Sequence, residues 1–366
     1  MRILQTPARL FATGGVESYV RNLSNELLSM GHEVSVICAD TPRDNEVNGR
    51  INTKVLRTVG KVANTNITPA LPLAFLKEDF DILHTHLPTP WSADWSALAS
   101  RLKKRPLVLT YHNDIVGEGA ANYVACLYNK TALKLLLKSA DRIIVTRGNY
   151  MSPLLEGCME KISIIPLGID VAAFQPRESP RQGDIFFLSV LDEYHRYKGL
   201  EHLLRALKIL KQEMPNVRLV VGGSGSLVDY YRSLTESLGL DENVRFTGFI
   251  PTKRLQDYYN GCKLFVLPST DPTREGFGIV PLEAMACGKP VVTTEIAGMA
   301  EEIKKSEAGL MVSRGNEAEL AEAMLCILEN ENLAKKMGTS GRRLVEERYS
   351  WRRVAEDIEK VYRGLV

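Results

Sequence analysis

The order of secondary-structure signals at the start of the chain returns in its second half, and this repeat limits the fold more than any other feature. The first half opens with a predicted strand Arg2–Gln5, a loop that ends in Gly14-Gly15, a helix from Val16 to about Met30, and a strand Glu33–Cys38. Apolar residues at the spacing of helical turns indicate the helix, and short apolar runs indicate the strands. This order is typical of a parallel α/β unit.

The second half begins in the same way. A predicted strand Ile185–Leu191 leads to a loop that ends in Lys198-Gly199, and a leucine-rich helix precedes a strand Val217–Val221. Further predicted strands of the first sheet are Ile82–His84, Leu107–Leu109, Ile143–Val145 and Ile162–Ile165, and those of the second sheet are Leu264–Leu267 and Val291-Val292. We therefore predict an α/β protein with two doubly wound, Rossmann-like domains.

The boundary between the domains is predicted in the polar stretch Phe174–Gly183, which is rich in Pro and Gly. The chain has 366 residues, and a domain commonly has roughly 100–200, so two domains fit this length. The last predicted helix, about Trp351–Leu365, is amphipathic.

Composition argues against several classes of protein. Lys+Arg is 46 and Asp+Glu is 44, so the net charge is only +2, and we expect no nucleic-acid partner because such proteins usually carry a strong basic excess. The 6 cysteines lack Cys-x-x-Cys spacing, which argues against a zinc site and a disulfide framework.

No apolar run reaches the roughly 20 residues that span a bilayer, and no secretory signal is recognised. We therefore expect a cytoplasmic location.

The stretch Pro268–Pro290 is the most informative part of the chain. Gly276 and Gly278 would let a ligand approach the backbone, and Pro281 suits the first turn of a helix. The backbone N–H groups of Phe277–Val280 would then lie at a helix N-terminus. Unpaired donors and the helix dipole both favour an anion such as phosphate at that place.

Two carboxylates, Glu275 and Glu283, flank this predicted anion site with seven residues between them. They would repel a phosphate, but they suit neutral hydroxyl groups on either side of it. A nucleotide sugar has this form, because its diphosphate joins a ribose to a hexose. The alternative is a glycine-rich turn that caps a helix, with both carboxylates in solvent.

The same stretch closely resembles the Glu-x7-Glu motif of the retaining glycosyltransferases of family 4, which have the GT-B fold. Shorter motifs extend the resemblance over nearly the whole chain. They are Gly14–Glu17, Asp81–His86, Thr110–His112, Ile164–Asp170, Gly222–Gly225 and Phe246–Pro251. Their order and spacing together indicate the family, although none of them does so alone.

The resemblance implies two Rossmann-like domains that face each other across a cleft. Residues 1–175 together with 350–366 would form an acceptor-binding domain, and residues 183–349 would bind the nucleotide-sugar donor. Members of the family are usually metal-independent. We therefore expect no metal and no cofactor, with the nucleoside-diphosphate sugar acting as donor substrate.

The resemblance also implies roles for individual residues. Lys198 would stabilise the departing diphosphate as a cation, and His112 would lie near the reacting sugar. Glu275 would bind the hexose hydroxyls and Glu283 the ribose. Further residues implied in donor binding are Gly14, Gly15, Arg196, Gly223, Phe249, Ile250, Gly276, Phe277, Gly278, Ile279 and Val280. The simpler interpretations are a solvated lysine at a helix start and an ordinary loop histidine.

The chain departs from the family at one charged position. Most members carry an arginine that binds the diphosphate where this chain has Val190. Either Lys198 acts alone, or His195 or Arg196 supplies the second cation.

Two further patterns could suggest a metal site, but we predict that neither binds a metal. Asp79-Phe-Asp81 looks like the Asp-x-Asp metal motif of another transferase fold, but it precedes a predicted strand instead of following one. His84 and His86 alternate on a strand, and we expect their side chains to point in opposite directions. A packing role is favoured for them, because neither a third ligand nor a cysteine partner stands at metal spacing.

The acceptor is expected on the first domain. Trp91 and Trp95 could stack on a sugar, but packing in the core is favoured. The segment Tyr123–Arg142 has lysines at helical spacing, which suit an anionic membrane surface and a lipid-linked acceptor. An ordinary amphipathic helix with a solvated lysine face is favoured over that membrane contact.

The predicted activity is transfer of a hexose from a nucleoside-diphosphate sugar to a hydroxyl of a sugar, glycan, small-molecule or lipid-linked acceptor. A UDP-sugar is the favoured donor and GDP-mannose is next. The resemblance implies retention of configuration by same-face attack, because no carboxylate nucleophile of the glycosidase type is evident. The alternatives are a nucleotide-sugar epimerase or phosphorylase that acts on the donor alone, and a dinucleotide oxidoreductase, which the missing Gly-x-Gly-x-x-Gly makes less favoured. The sequence does not indicate an oligomeric state.

Overall fold

A computed structural model describes residues 1–11, 14–41, 49–62, 65–115, 121–146, 152–272 and 278–366. The chain divides into two compact units. One unit comprises Met1–Gly168 together with Trp351–Val366, and the other comprises Ile169–Ser350.

Strands and helices alternate along most of the chain. Up to residue 168 they are β1 (Arg2–Thr6), α1 (Gly15–Ser29), β2 (Glu33–Ala39), β3 (Asn52–Leu56), β4 (Gly60–Val62), β5 (Thr65–Ile67), α2 (Leu71–Lys77), β6 (Ile82–Leu87), α3 (Pro90–Lys103), β7 (Leu107–Tyr111), α4 (Ala121–Lys130), α5 (Ala132–Ser139), β8 (Arg142–Val145), a 3-10 helix (Pro153–Lys161) and β9 (Ile162–Ile164). From residue 169 they are β10 (Ile185–Leu188), a 3-10 helix (Glu193–Lys198), α6 (Leu200–Glu213), β11 (Leu219–Gly222), α7 (Val228–Ser237), β12 (Val244–Gly248), α8 (Thr252–Asn260), β13 (Leu264–Leu267), α9 (Ile279–Ala286), β14 (Val291–Thr294), α10 (Ala300–Lys305), β15 (Gly309–Val312), α11 (Glu317–Glu329), α12 (Glu331–Arg348) and α13 (Trp351–Arg363).

The first unit is built on a parallel sheet with the described strands in the order β3-β2-β1-β6-β7-β8-β9. Neighbouring residues of β1 serve two cores, since Leu4 packs with α2, α3 and α5 while Ile3 packs with α1 and α13 on the opposite face. This follows from the alternation of side chains along a strand. The last helix of the chain, α13, buries Val354 and Ile358 against α1 in the first unit.

The second unit has a parallel sheet with the described strands in the order β12-β11-β10-β13-β14-β15. Helix α6 packs on it through Leu203, Leu207 and Leu210, which are all buried. The predicted α/β class with two Rossmann-like folds is therefore confirmed.

In both sheets the strand order reverses at the first strand of the unit. Strand β1 pairs with β2 on one side and β6 on the other, and β10 pairs with β11 and β13. Ligands of open α/β sheets bind at the carboxyl ends of the strands where the order reverses. The loops after β1 and β6 in the first unit, and after β10 and β13 in the second, are therefore the places to search for a site.

Two boundaries differ from the sequence-based expectation. Strand β10 ends at Leu188. Beyond it, the Ser189 N–H donates to Gly222 at the end of β11, and the Leu191 N–H donates to Ser224 in the loop that follows β11. The first unit ends at residue 168 and the second begins at residue 169, whereas we expected boundaries at 175 and 183. The predicted linker instead packs within the second unit, where Phe174 is buried and the Arg177 N–H donates to Asn260.

Candidate functional site

Three loops meet at the carboxyl edge of the second sheet. The Leu191 N–H donates to the Ser224 carbonyl (3.0 Å), and the Thr270 N–H donates to the Tyr197 carbonyl (2.7 Å). These bonds join the loop after β10, the glycine loop after β11 and the loop after β13. Motifs from separate parts of the chain therefore lie side by side, and the segment that carries Lys198 is among them.

The position of Lys198 is set by a close contact of its neighbour. Lys198 ends the 3-10 helix, and its ammonium lies 5.0 Å from the ring centre of Tyr197. Gly199 follows with φ 81°, and a Cβ built there would lie 1.9 Å from the Pro268 carbonyl oxygen. Only glycine accommodates both the left-handed backbone and this contact, so the Lys-Gly pair has a structural reason.

The two candidates for a second cation have partners within the unit. Arg196 Nη2 lies 3.5 Å from Glu201 Oε2, and its guanidinium lies 5.3 Å from the ring centre of Tyr230. His195 Nδ1 lies 2.7 Å from Asp192 Oδ1, and this hydrogen bond lowers the pKa of Asp192. Diphosphate binding through either residue would compete with these contacts, and their role stays a prediction.

The glycine loop is also explained by packing. Gly223 has φ 123°, and a Cβ built there would lie 1.7 Å from the Ser189 carbonyl oxygen. Val190, which stands where the family carries an arginine, is 48% exposed. A role of Gly223 in donor binding is not needed to explain this glycine, and it stays a prediction.

Glu283 is held by a residue that the sequence did not indicate. The buried Tyr259 hydroxyl donates a hydrogen bond of 2.6 Å to Glu283 Oε2, and the Tyr259 ring packs against Phe186 and Phe265. Burial raises the pKa of Glu283 to about 7, and the bond from Tyr259 opposes this rise. The carboxyl is therefore poised to change its protonation near neutral pH.

Part of the predicted anion site lies in helix α9. Gly278 precedes the helix with φ 76°, and Ile279, Val280 and Pro281 form its first turn. The helix itself leaves the N–H groups of Ile279 and Val280 unpaired. Three other predicted site residues, Glu275, Gly276 and Phe277, lie outside the described residues.

The two residues predicted to bind the base differ in exposure. Phe249 is 75% exposed after β12, whereas Ile250 is buried in the core of the second unit. The Ile250 side chain packs against the position of Gly222, and a role of this segment in base binding stays a prediction.

In the first unit, Gly14 and Gly15 lie at the start of α1 and differ in their surroundings. A Cβ built on Gly15 meets no described atom within 4 Å, whereas one on Gly14 would lie 2.2 Å from Glu17 Oε2. Glu17 is itself buried and paired with Arg9 Nε at 3.0 Å. Gly14 thus has a packing reason, while the structure gives none for Gly15.

His84 and His86 lie on the same face of β6, with ring centres 4.5 Å apart. The expectation that they point in opposite directions is wrong, because residues two apart on a strand share a face. His84 is hydrogen-bonded to the Tyr362 hydroxyl (2.6 Å) and to the Thr110 hydroxyl (2.7 Å). This packing agrees with the structural role that we favoured for the pair.

His112 follows β7 and continues the same group of rings. Its Nε2 lies 3.4 Å from His86 Nδ1, and its ring centre lies 4.8 Å from that of Tyr19. Desolvation lowers the pKa of His112 to about 4 and that of His84 to about 3. These imidazoles are therefore neutral at neutral pH.

Neither acidic nor histidine-rich patterns form a metal cluster in the described part of the chain. No group of three or more His, Cys, Asp or Glu side chains there could hold a metal ion. Asp79 and Asp81 both pair with Arg2, and Arg2 Nη2 lies 2.8 Å from Asp81 Oδ1. The 6 cysteines, all within the described residues, are not paired in disulfides.

The tryptophans and the lysine-bearing segment that were considered for acceptor or membrane binding belong to the first unit. Trp91 and Trp95 pack edge to face with each other and, partly buried, against its core, in agreement with the favoured interpretation. The lysine-bearing segment forms the two helices α4 and α5, and α5 buries three leucines while its lysines are exposed. Among the described helices, none combines the length and the apolar character that crossing a membrane requires.

The sequence did not indicate Tyr259 or Gln5, which hold other polar side chains of the two units by hydrogen bonds. Tyr259 holds Glu283 across 24 positions, and Gln5 holds His86 across 81. A polar residue at the end of a buried strand was the available signal for Gln5. No comparable signal marked Tyr259.

Comparisons with known proteins agree with these features. The model of the glycosyl transferases group 1 matches residues 172–344, and that of glycosyltransferase family 4 matches residues 13–173. A phosphatidyl-myo-inositol mannosyltransferase of Mycobacterium tuberculosis is 30% identical over 95% of this chain and 93% of its own length. A D-inositol 3-phosphate glycosyltransferase of Corynebacterium jeikeium is 28% identical over 96% of this chain and 92% of its own length.

Solved structures show the same fold. Anabaena HepE in complex with UDP has a TM-score of 0.76 at 21% identity, with 100% of both chains covered. The two family matches meet near the boundary between the compact units, and the mycobacterial relative extends over nearly the full chain. This chain therefore belongs to the group 1 glycosyltransferases of family 4, with the GT-B fold.

Proposed function

We propose that the protein is a retaining, metal-independent hexosyltransferase that uses a nucleoside-diphosphate sugar. The observation that carries the proposal is the arrangement around α9 in the second unit. Glu283, anchored by Tyr259, lies one turn inside a helix whose first N–H groups are left unpaired by the helix. A carboxylate for ribose hydroxyls beside donors for a diphosphate suits a nucleotide sugar.

In this proposal the departing diphosphate is stabilised by Lys198 and by the N-terminus of α9, which replace a metal ion. The leaving phosphate accepts the proton of the acceptor hydroxyl, and the new bond forms on the face that the phosphate leaves. Glu275, Gly15 and His112 keep the roles that the family resemblance implies, as predictions.

For the donor and the acceptor we propose only the chemical class. The UDP complex of HepE supports a UDP-sugar as first choice, and the mannosyltransferase relative supports GDP-mannose as the next. The names of the two inositol-directed relatives support a hydroxyl-rich or lipid-linked acceptor.

Binding measurements with separated parts of the donor test the site. We expect Lys198→Ala to weaken UDP or GDP binding about tenfold or more but to leave nucleoside binding nearly unchanged, because a hydrogen bond to a charged group contributes about 1.5–3 kcal/mol. Glu283→Gln should weaken nucleoside and nucleotide alike. Lys208→Ala, an exposed lysine on α6, is the matched control.

Turnover then tests the chemistry. The anomeric configuration of the product, followed by NMR, should match that of the donor, and a chelator should not reduce the rate. Donor consumption that is independent of any acceptor would favour an epimerase or phosphorylase instead. If no nucleotide or nucleotide sugar raises the melting temperature of the wild type, the proposed donor site is wrong.

A further inference from the structure

A chain of buried polar groups leads from helix α1 to His112 within the first unit. Gln5 Nε2 donates to Ser24 Oγ at 2.9 Å, and Gln5 Oε1 lies 3.1 Å from His86 Nε2. His86 Nδ1 in turn lies 3.4 Å from His112 Nε2. Gln5, Ser24 and His86 are all completely buried, so each of these groups depends on the next for its hydrogen bonds.

The chemistry of these groups gives the chain a direction. The amide oxygen of Gln5 can only accept, so the Nε2 of His86 must carry the proton. A neutral imidazole with a proton on one nitrogen has a lone pair on the other. His86 Nδ1 is therefore an acceptor, and the Nε2 of His112 must donate to it.

We propose that Gln5 and His86 are positioning residues that fix the tautomer of His112, with the proton on Nε2 and the lone pair on Nδ1. The edge-to-face contact of Tyr19 with both His86 and His112 holds the two rings in place for this relay. Within the described part of the chain, no residue hydrogen-bonds the Nδ1 of His112.

The assignment predicts what His112 can recognise. A neutral imidazole with a lone pair on Nδ1 accepts a hydrogen bond from a sugar hydroxyl, but it cannot donate one to a phosphate oxygen from that atom. Desolvation keeps the ring neutral, since the pKa of His112 is lowered to about 4. This consequence rests on the proposed sugar-transfer function, whereas the tautomer itself does not.

The tautomer is measured directly by imidazole 15N NMR of the full chain without substrate. In the wild type we expect the His112 signals of a protonated Nε2 and an unprotonated Nδ1. In Gln5→Met, which keeps the shape of the side chain but removes the acceptor, we expect loss of this single form. Tyr362→Phe removes a hydrogen bond of His84 outside the relay and should leave the His112 signals in place.

A proton on Nδ1 of His112 in the wild type overturns the proposal, and so does an unchanged His112 tautomer in a folded Gln5→Met variant. The wild-type spectrum decides the question even if the variant does not fold. In the transfer assay, Gln5→Met should lower kcat/KM by about tenfold, as expected for loss of one hydrogen bond. If the wild type transfers no sugar, the proposed function fails while the NMR result still stands.

Discussion

The carboxyl of Glu283 shows how one residue is tuned by its surroundings. Desolvation raises its pKa to about 7, and the hydroxyl of Tyr259 stabilises the ionised form. A carboxylate accepts from two ribose hydroxyls, whereas the protonated group has one acceptor fewer. Nucleoside recognition through Glu283 should therefore depend on pH in the neutral range.

We predict that nucleoside affinity rises as the pH increases through about 7. Between about pH 6 and pH 8 the ionised fraction of such a group rises roughly tenfold, and the association constant from calorimetry should follow it. Glu283→Gln should bind weakly and with little pH dependence. An identical pH profile for wild type and Glu283→Gln would show that Glu283 is not the titrating group.

The adjacent glycines at the start of α1 give a second residue-level prediction. Gly15→Ala should leave the free energy of unfolding within about 0.5 kcal/mol, because its Cβ has open space. It should nevertheless lower kcat/KM at least tenfold if the diphosphate approaches this backbone as the family resemblance implies.

Gly14→Ala is the control for this prediction, because its Cβ would press on the buried Glu17 carboxylate. It should lower the free energy of unfolding by about 1–3 kcal/mol. Thermal unfolding together with a transfer assay separates the two effects. Full activity of Gly15→Ala would contradict the predicted role of Gly15.

At the scale of the elements, loops and not regular secondary structure bring the candidate site together. The 3-10 helix that ends at Lys198 is joined to the loop after β13 by the bond from Thr270 to Tyr197. The contact of Gly199 with the Pro268 carbonyl secures the same junction. Any residue larger than glycine at position 199 must separate these two loops.

Gly199→Ala should therefore reduce both stability and diphosphate affinity. Gly239, at the end of α7, has a similar positive φ of 68° but no atom within 4 Å of its Cβ position, so Gly239→Ala serves as the control. Both variants should lose about 1–2 kcal/mol from backbone strain. Urea unfolding should reveal a larger loss for Gly199→Ala, and calorimetry should show weaker UDP or GDP binding for that variant alone. An equal decrease in the free energy of unfolding of the two variants would show that the contact with Pro268 does not destabilise Gly199→Ala.

At the scale of the whole molecule, the two units carry buried groups that respond oppositely to pH. In the first unit, desolvation lowers the pKa values of His84, His86 and His112. The unfolded chain takes up protons on these histidines below about pH 6.5 while the folded unit does not. Their contribution to stability is therefore present above about pH 6.5 and is lost as the pH falls toward the folded values. Glu283 in the second unit has the opposite sign, because its raised pKa costs stability as the pH rises from about 4.5 to about 7.

We therefore predict that the first unit loses stability on acidification before the second. All 3 tryptophans belong to the first unit, so their fluorescence reports its urea unfolding alone. Between about pH 7.5 and pH 5 the free energy of unfolding should fall by about 1–2 kcal/mol for each buried histidine. Glu283→Gln should not alter this fluorescence-detected change. A midpoint that is independent of pH would contradict the neutral state of the histidines.

Much of the architecture was predictable from local patterns. The strand–helix order around α1 and α6, the first turn of α9 at Pro281 and the family motif around Glu283 are all properties of short stretches of chain. The assignment of Phe174–Gly183 as a linker failed because Pro and Gly mark turns inside a domain as well as between domains. The opposed orientation expected for His84 and His86 failed on strand geometry alone.

The elements, the α/β class and the family could be predicted from local patterns, because periodicity, turn residues and motif spacing act within a few residues. The hydrogen bond of Tyr259 to Glu283, the one between Gln5 and His86, and the desolvation that keeps His112 neutral became evident only in the folded chain. Hydrogen-bond partners and desolvation depend on which distant segments the fold brings together. No local pattern contains that information.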